Sequence, residues 1–137
     1  MVNSEEWNEK DQVLTNIINL FLDDYNGLGE NPEEAYIGIQ IDVAEGAVAI
    51  RWYELTAGGE KSLHPMKDRY QAGKLALRLW KLSEEEWGSM FVAVSSQSMK
   101  FTAVFKTLEE SSDLRIAHTE GKVAIKELRA LIKQLSD

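Results

Sequence analysis

Apolar residues recur at two periods along this chain, and each switch between them marks an element boundary. Between Ser4 and Tyr25, the residues Val13, Leu14, Ile17, Ile18, Phe21 and Leu22 fall three and four apart, which is the spacing of one helix face. Ser4 is in position to cap that helix. Glu5, Glu6 and Trp7 fill its first turn, where carboxylates meet the positive end of the helix dipole. Asn26, Gly27 and Gly29 predict its end.

The period then changes to two. In "AYIGIQIDV", Ile37, Ile39, Ile41 and Val43 alternate with Tyr36, Gly38, Gln40 and Asp42. In "AVAIRWYEL", Val48, Ile50 and Trp52 alternate with Ala49, Arg51 and Tyr53. Glu45-Gly46 lies between the two runs, so they predict a β-hairpin, with "TAGGEKS" as the loop that follows.

Helical spacing returns from Pro65 to about Leu82. There Tyr70, Leu77 and Trp80 form one apolar line and Lys67, Lys74, Arg78 and Lys81 form a basic one. Gly73 in its middle is expected to mark close packing. "MFVAVSSQSMKFTAVFKTL" predicts a second hairpin that turns at Ser96–Ser98, and "EESSDLR" a polar loop. A last helix is expected over about Thr119–Leu135, with Val123, Leu128, Leu131, Ile132 and Leu135 as its buried stripe.

The expected fold is therefore α+β, a single domain over residues 1–137 in α-β-β-α-β-β-α order. Two hairpins would form a four-stranded antiparallel sheet covered by helices. Trp52 and Trp80 fit core positions, while Trp7 and Trp87 stand beside acids and are expected to be partly buried.

Composition adds the charge pattern. The formal charge is −8, unevenly spread. Residues 1–60 hold thirteen acids against two bases, and residues 61–83 hold one acid against six bases. An acidic half argues against general nucleic-acid binding and for either solubility or a basic protein partner. With no cysteine in the chain, thiolate chemistry and disulfides are excluded. The acidic N-terminus carries no following apolar run, and no segment has the length of a membrane span. The expected location is therefore cytoplasmic, without a membrane partner.

Candidate chemistry is sparse. "DDYNGLGENPEEAY", residues 23–36, packs five carboxylates into fourteen residues, as a metal loop, an acidic docking surface or a plain helix-to-strand connection would. Counted from Asp23 as a calcium loop, Tyr25 and Gly27 would occupy ligand positions, and neither side chain can serve. No metal and no cofactor is expected. His64 and His118 carry no ligand spacing. Ser95, Ser96 and Ser98 lack a nucleophile elbow, and "AGGEKS" lacks the geometry of a phosphate loop. The basic line of Lys67, Lys74, Arg78 and Lys81 could touch phosphate, but is expected rather to face solvent or to dock on the chain's own acidic half or a second subunit.

Three stretches carry a family resemblance: "RWYEL", "KDRYQAGKLALRLWKL" and "EEWGSMFVAVSSQSMKFTAVFK". Across residues 5–107 their pattern resembles the YezG-like family of bacterial immunity proteins. The resemblance implies a protein without catalytic residues that binds and blocks a cognate toxin, often a nuclease, by setting acids over a basic substrate site. The residues expected to make that contact are Asp23, Asp24, Glu30, Glu33 and Glu34, with Asp42 and Trp7 beside them. Two other readings are a small hydrolase pairing His64 or His118 with a carboxylate, and a homo-oligomer formed through the sheet or the basic helix.

Overall fold

Both hairpins form, around the turns their residues specify. The computed structural model describes residues 4–27, 35–63, 67–112, 115–116 and 121–136. Its elements are α1 (Ser4–Asn26), β1 (Tyr36–Ala44), β2 (Ala47–Thr56), β3 (Gly59–Ser62), α2 (Arg69–Leu82), β4 (Ser89–Ser95), β5 (Phe101–Lys106), α3 (Leu108–Ser111) and α4 (Gly121–Ser136). Glu45 and Gly46 both take positive φ, 51° and 81°, as a two-residue hairpin turn between right-twisting strands requires. The second hairpin closes where the Ser95 N–H donates to the Lys100 carbonyl at 2.9 Å.

The sheet departs from the expected four strands. It has five, all antiparallel, in the order β3-β2-β1-β4-β5, and the element order is α-β-β-β-α-β-β-α-α. The extra strand, β3, is "GEKS" inside the stretch expected to be a loop. It pairs with β2 from Tyr53↔Ser62 to Thr56↔Gly59. Its side chains carry no apolar alternation because only its backbone bonds to the sheet, and it forms an edge. The short helix α3 likewise sits in the expected polar loop. Its signal is a capping box: Thr107 accepts from the Glu110 N–H, and Glu110 accepts from the Thr107 N–H at 3.0 Å.

Helices cover both faces of the sheet. On one face, Ile37, Ile39, Ile41 and Val43 are fully buried. They pack with Trp52, Met90, Val92 and Val94 beneath Ile17, Ile18, Phe21 and Leu22 of α1 and Ala72, Ala76 and Leu79 of α2. On the other face, Tyr53, Leu55, Phe91 and Ala93 meet Ala124, Leu128 and Leu131 of α4. Gly38 permits that second contact. A Cβ there would stand 2.7 Å from Leu128 and 2.9 Å from Leu55, closer than real side-chain contacts allow.

Two expectations about α2 are corrected. Tyr70, assigned to its apolar line, is 77% exposed, and its ring lies beneath the Lys74 ammonium. Gly73 does not mark close packing, since an added Cβ there would meet nothing within 4 Å. Residues 64–66, which include the expected helix start at Pro65, lie outside the described residues.

Candidate functional site

The acidic end of α1 is where the sequence placed most of the contact residues. Asp23 and Asp24 sit in the last turn of that helix, which contains no basic residue. Carboxylates there face the negative end of the helix dipole, an arrangement that costs roughly 0.3–1 kcal/mol each when exposed. Asp24 offsets this by accepting from the Lys67 N–H at 2.9 Å, whereas Asp23 is exposed. Glu30, Glu33 and Glu34 lie outside the described residues, as do His64 and His118. Trp7 lies in the first turns of α1, away from the Asp23 end.

The basic line of α2 runs beside α1 and partly neutralises it. Arg78 pairs with Glu9 across the two helices, and Lys81 pairs with Glu85 at 2.9 Å. Both pairs are exposed and contribute little to stability. Their effect is to remove charge from the field that a partner would meet. Tyr25, fully buried at the far end of α1, donates its hydroxyl to Glu54 of β2 at 2.8 Å. Burial, reinforced by the Glu54 carboxylate, holds this phenol well above the usual tyrosine range. Tyr53 is also raised by burial, with Arg51 acting against the shift.

Asp42 is not at a surface. Expected on an open polar side of β1, it is 3% exposed. Its carboxylate accepts from Ser89 Oγ at 2.6 Å, Gln40 Nε2 at 3.1 Å and the Ile116 N–H at 2.6 Å. Gln40 in turn accepts from Arg51 Nη2 at 3.1 Å. Arg115 reaches over the same end of the sheet, its guanidinium 3.4 Å from the Val43 carbonyl and 3.5 Å from that of Gly88. This is a structural carboxylate: it fixes the chain leaving α3 onto the sheet, in the space that α4 leaves uncovered.

Among the described residues, cavities beside the sheet include two with apolar walls. One, of about 410 Å³, is lined by Trp52, Leu63, Arg51, Arg69 and Gly73 among others. The second, of about 360 Å³, lies between α1, the end of α2 and β5. Its floor is Leu14, Leu79, Trp87 and Phe105, and Lys10, Asp11, Glu86 and Thr107 stand around it. Trp87, expected to be partly buried, is 3% exposed, and its Nε1 has no hydrogen-bond partner among the described residues. Burying an indole N–H without an acceptor costs about 1–3 kcal/mol. Sequence reading missed this cavity because its walls come from three separate segments, 10–14, 79–87 and 105–107. The triple acid before Trp87 was the only local hint.

Among the described residues, no group of three or more histidine, aspartate or glutamate side chains is arranged to hold a metal ion, and no helix is long and apolar enough to cross a membrane. No protein-family model matches the chain, and no curated protein matches it.

Proposed function

We propose that this chain is a non-catalytic binding domain for a basic protein, acting as its inhibitor in the manner that the likeness to immunity proteins implies. The observation that carries this reading is the exposed Asp23, beside Asp24, in a helix turn with no compensating base. Local stability disfavours carboxylates at that place. Asp24 is offset by the Lys67 N–H, so it is the presence of Asp23 that an opposite charge arriving from outside would account for. The acids of residues 30–34 continue the same run in sequence. Against a nuclease, such carboxylates would take the places of substrate phosphates in a basic cleft and steer the approach electrostatically.

The test is a fourfold reversal, Asp23→Lys with Glu30→Lys, Glu33→Lys and Glu34→Lys. Tagged chain is co-purified from its own cells, and the retained protein is identified and assayed for inhibition. The expected result is a basic protein held one-to-one and inhibited by the parent chain. Its affinity should fall at least tenfold in the reversed chain, with a shallower dependence on salt. Equal affinity and equal salt dependence in the two chains would overturn the proposal.

A further inference from the structure

We infer that the open edge of β5, together with the cavity beside it, is the docking site for an extended, arginine-bearing segment of a partner protein. This deepens the binding reading above and rests on it.

Among the described residues β5 is hydrogen-bonded to β4 alone, at the end of the sheet. The bond from the Ser95 N–H to the Lys100 carbonyl fixes the phase of the ladder. With the register Ala93↔Thr102 and Phe91↔Val104, it leaves the backbone groups of Phe101, Ala103 and Phe105 pointing away from β4. Soluble proteins usually blunt such an edge. This one instead carries exposed apolar side chains, Phe101 at 40% and Phe105 at 39%, and Leu108, which opens α3 just beyond the strand, is 55% exposed.

Phe101, Ala103 and Phe105 share a face, and Phe105 is also a wall of the 360 Å³ cavity. An added strand would send every second side chain to that face. The cavity volume lies at the lower end of the roughly 300–1,000 Å³ typical of ligand sites. Trp87 and Phe105, with ring centroids 5.5 Å apart, give an aromatic wall, and Asp11 and Glu86 outnumber Lys10 around it. Aromatic faces beside carboxylates suit a guanidinium, which stacks on the one and donates in a fork to the other. Charge selects against the alternative occupant, since a second copy of this chain would bring another −8 to a cavity bordered by Asp11 and Glu86.

The test uses a blocked ten-residue peptide that alternates arginine with threonine and valine, titrated into isotope-labelled protein. The expected result is saturable binding that shifts the amides of Phe101, Ala103 and Phe105 and the Trp87 indole N–H. The dissociation constant should rise at least tenfold for the same peptide N-methylated at alternate residues. A rise of similar size is expected in the Asp11→Lys/Glu86→Lys variant, whose exposed substitutions leave the thermal unfolding midpoint in place. Shifts clustered elsewhere would overturn the inference. So would binding indifferent to both changes, absence of binding at millimolar peptide, or a dimer through β5 in sedimentation. A partner lost on reversing residues 23–34 but indifferent to the β5 changes would leave the binding proposal standing and remove this one. Peptide binding at β5, without any basic protein being captured or inhibited, would do the reverse.

Discussion

Replacing Asp42 tests whether the chain between α3 and α4 is held to the sheet by one buried carboxylate. Asp42→Ala removes the acceptor for three donors at once: Ser89 Oγ, Gln40 Nε2 and the Ile116 N–H. A buried donor left unpaired costs about 1–3 kcal/mol. The variant recovers part of this, because it no longer desolvates a carboxylate. The expected net loss is about 2–4 kcal/mol, a large fraction of the roughly 5–15 kcal/mol that stabilises an ordinary domain. Asp42→Asn separates charge from geometry. Either orientation of the amide leaves at least one donor facing a donor, unless Gln40 turns over and loses its bond from Arg51. The loss should then be smaller, about 1–2 kcal/mol. Urea denaturation measures the global term, and amide exchange at Ile116 measures the local one. Protection at Ile116 should collapse in Asp42→Ala, while the β1–β2 ladder follows global stability. An Ile116 amide as protected as in the parent, or a loss under about 0.5 kcal/mol for Asp42→Ala, would refute this account.

The remaining predictions follow the same geometry. Gly38→Ala places a methyl group against Leu128 and Leu55 and should cost about 1–3 kcal/mol by denaturation, with exchange in α4 accelerated most. Gly73→Ala meets open space inside α2 and should stabilise the protein by about 0.5–1 kcal/mol; destabilisation would mean that the helix is crowded there. Tyr25 has its folded pKa raised above the unfolded value near 10, so its contribution is fully present below about pH 10 and is lost as the pH climbs towards the folded value. Tyr25→Phe should therefore flatten the alkaline fall in stability above about pH 10, and an unchanged slope would count against the shift.

The alternation of β1 was legible because a strand with one apolar side has one way to face a core. Its other side was misread for a physical reason. Tyr36, Gly38, Gln40 and Asp42 look like a solvent face, yet Gly38 is a contact surface for α4, and Gln40 and Asp42 are buried in a closed polar network. Period-two reasoning assigns polarity to water unless a second covering layer is known. The clue to that layer lay in "SMFVAVS", where Met90, Val92 and Val94 oppose Phe91 and Ala93. A strand apolar on both sides is buried on both. Tyr70 erred the other way: helical spacing placed it in line with Leu77 and Trp80, but α2 has only just begun at Arg69, beyond the reach of the core. The cavity walls could not be read at all, since they meet only through tertiary packing.

The charge count calls for the same correction in three dimensions. Thirteen acids against two bases in residues 1–60 suggest a strongly negative surface. The fold, however, engages five of those acids internally: Glu9 with Arg78, Asp24 with the Lys67 N–H, Asp42 in its network, Glu54 with Tyr25, and Glu60 near Arg129 at 3.6 Å. Among the side chains described from Glu9 onward, Asp11, Asp23 and Glu45 are the exposed carboxylates of this half that remain unengaged. Asp23 and Asp11 lie about three turns apart along α1 and about a third of a turn apart around its axis. Asp23 begins the run that continues to Glu34, and Asp11 borders the cavity beside β5. A basic partner long enough to span that helix would meet both. Reversal at either end should then weaken binding separately, and the two losses should add, because sites so far apart share no contacts.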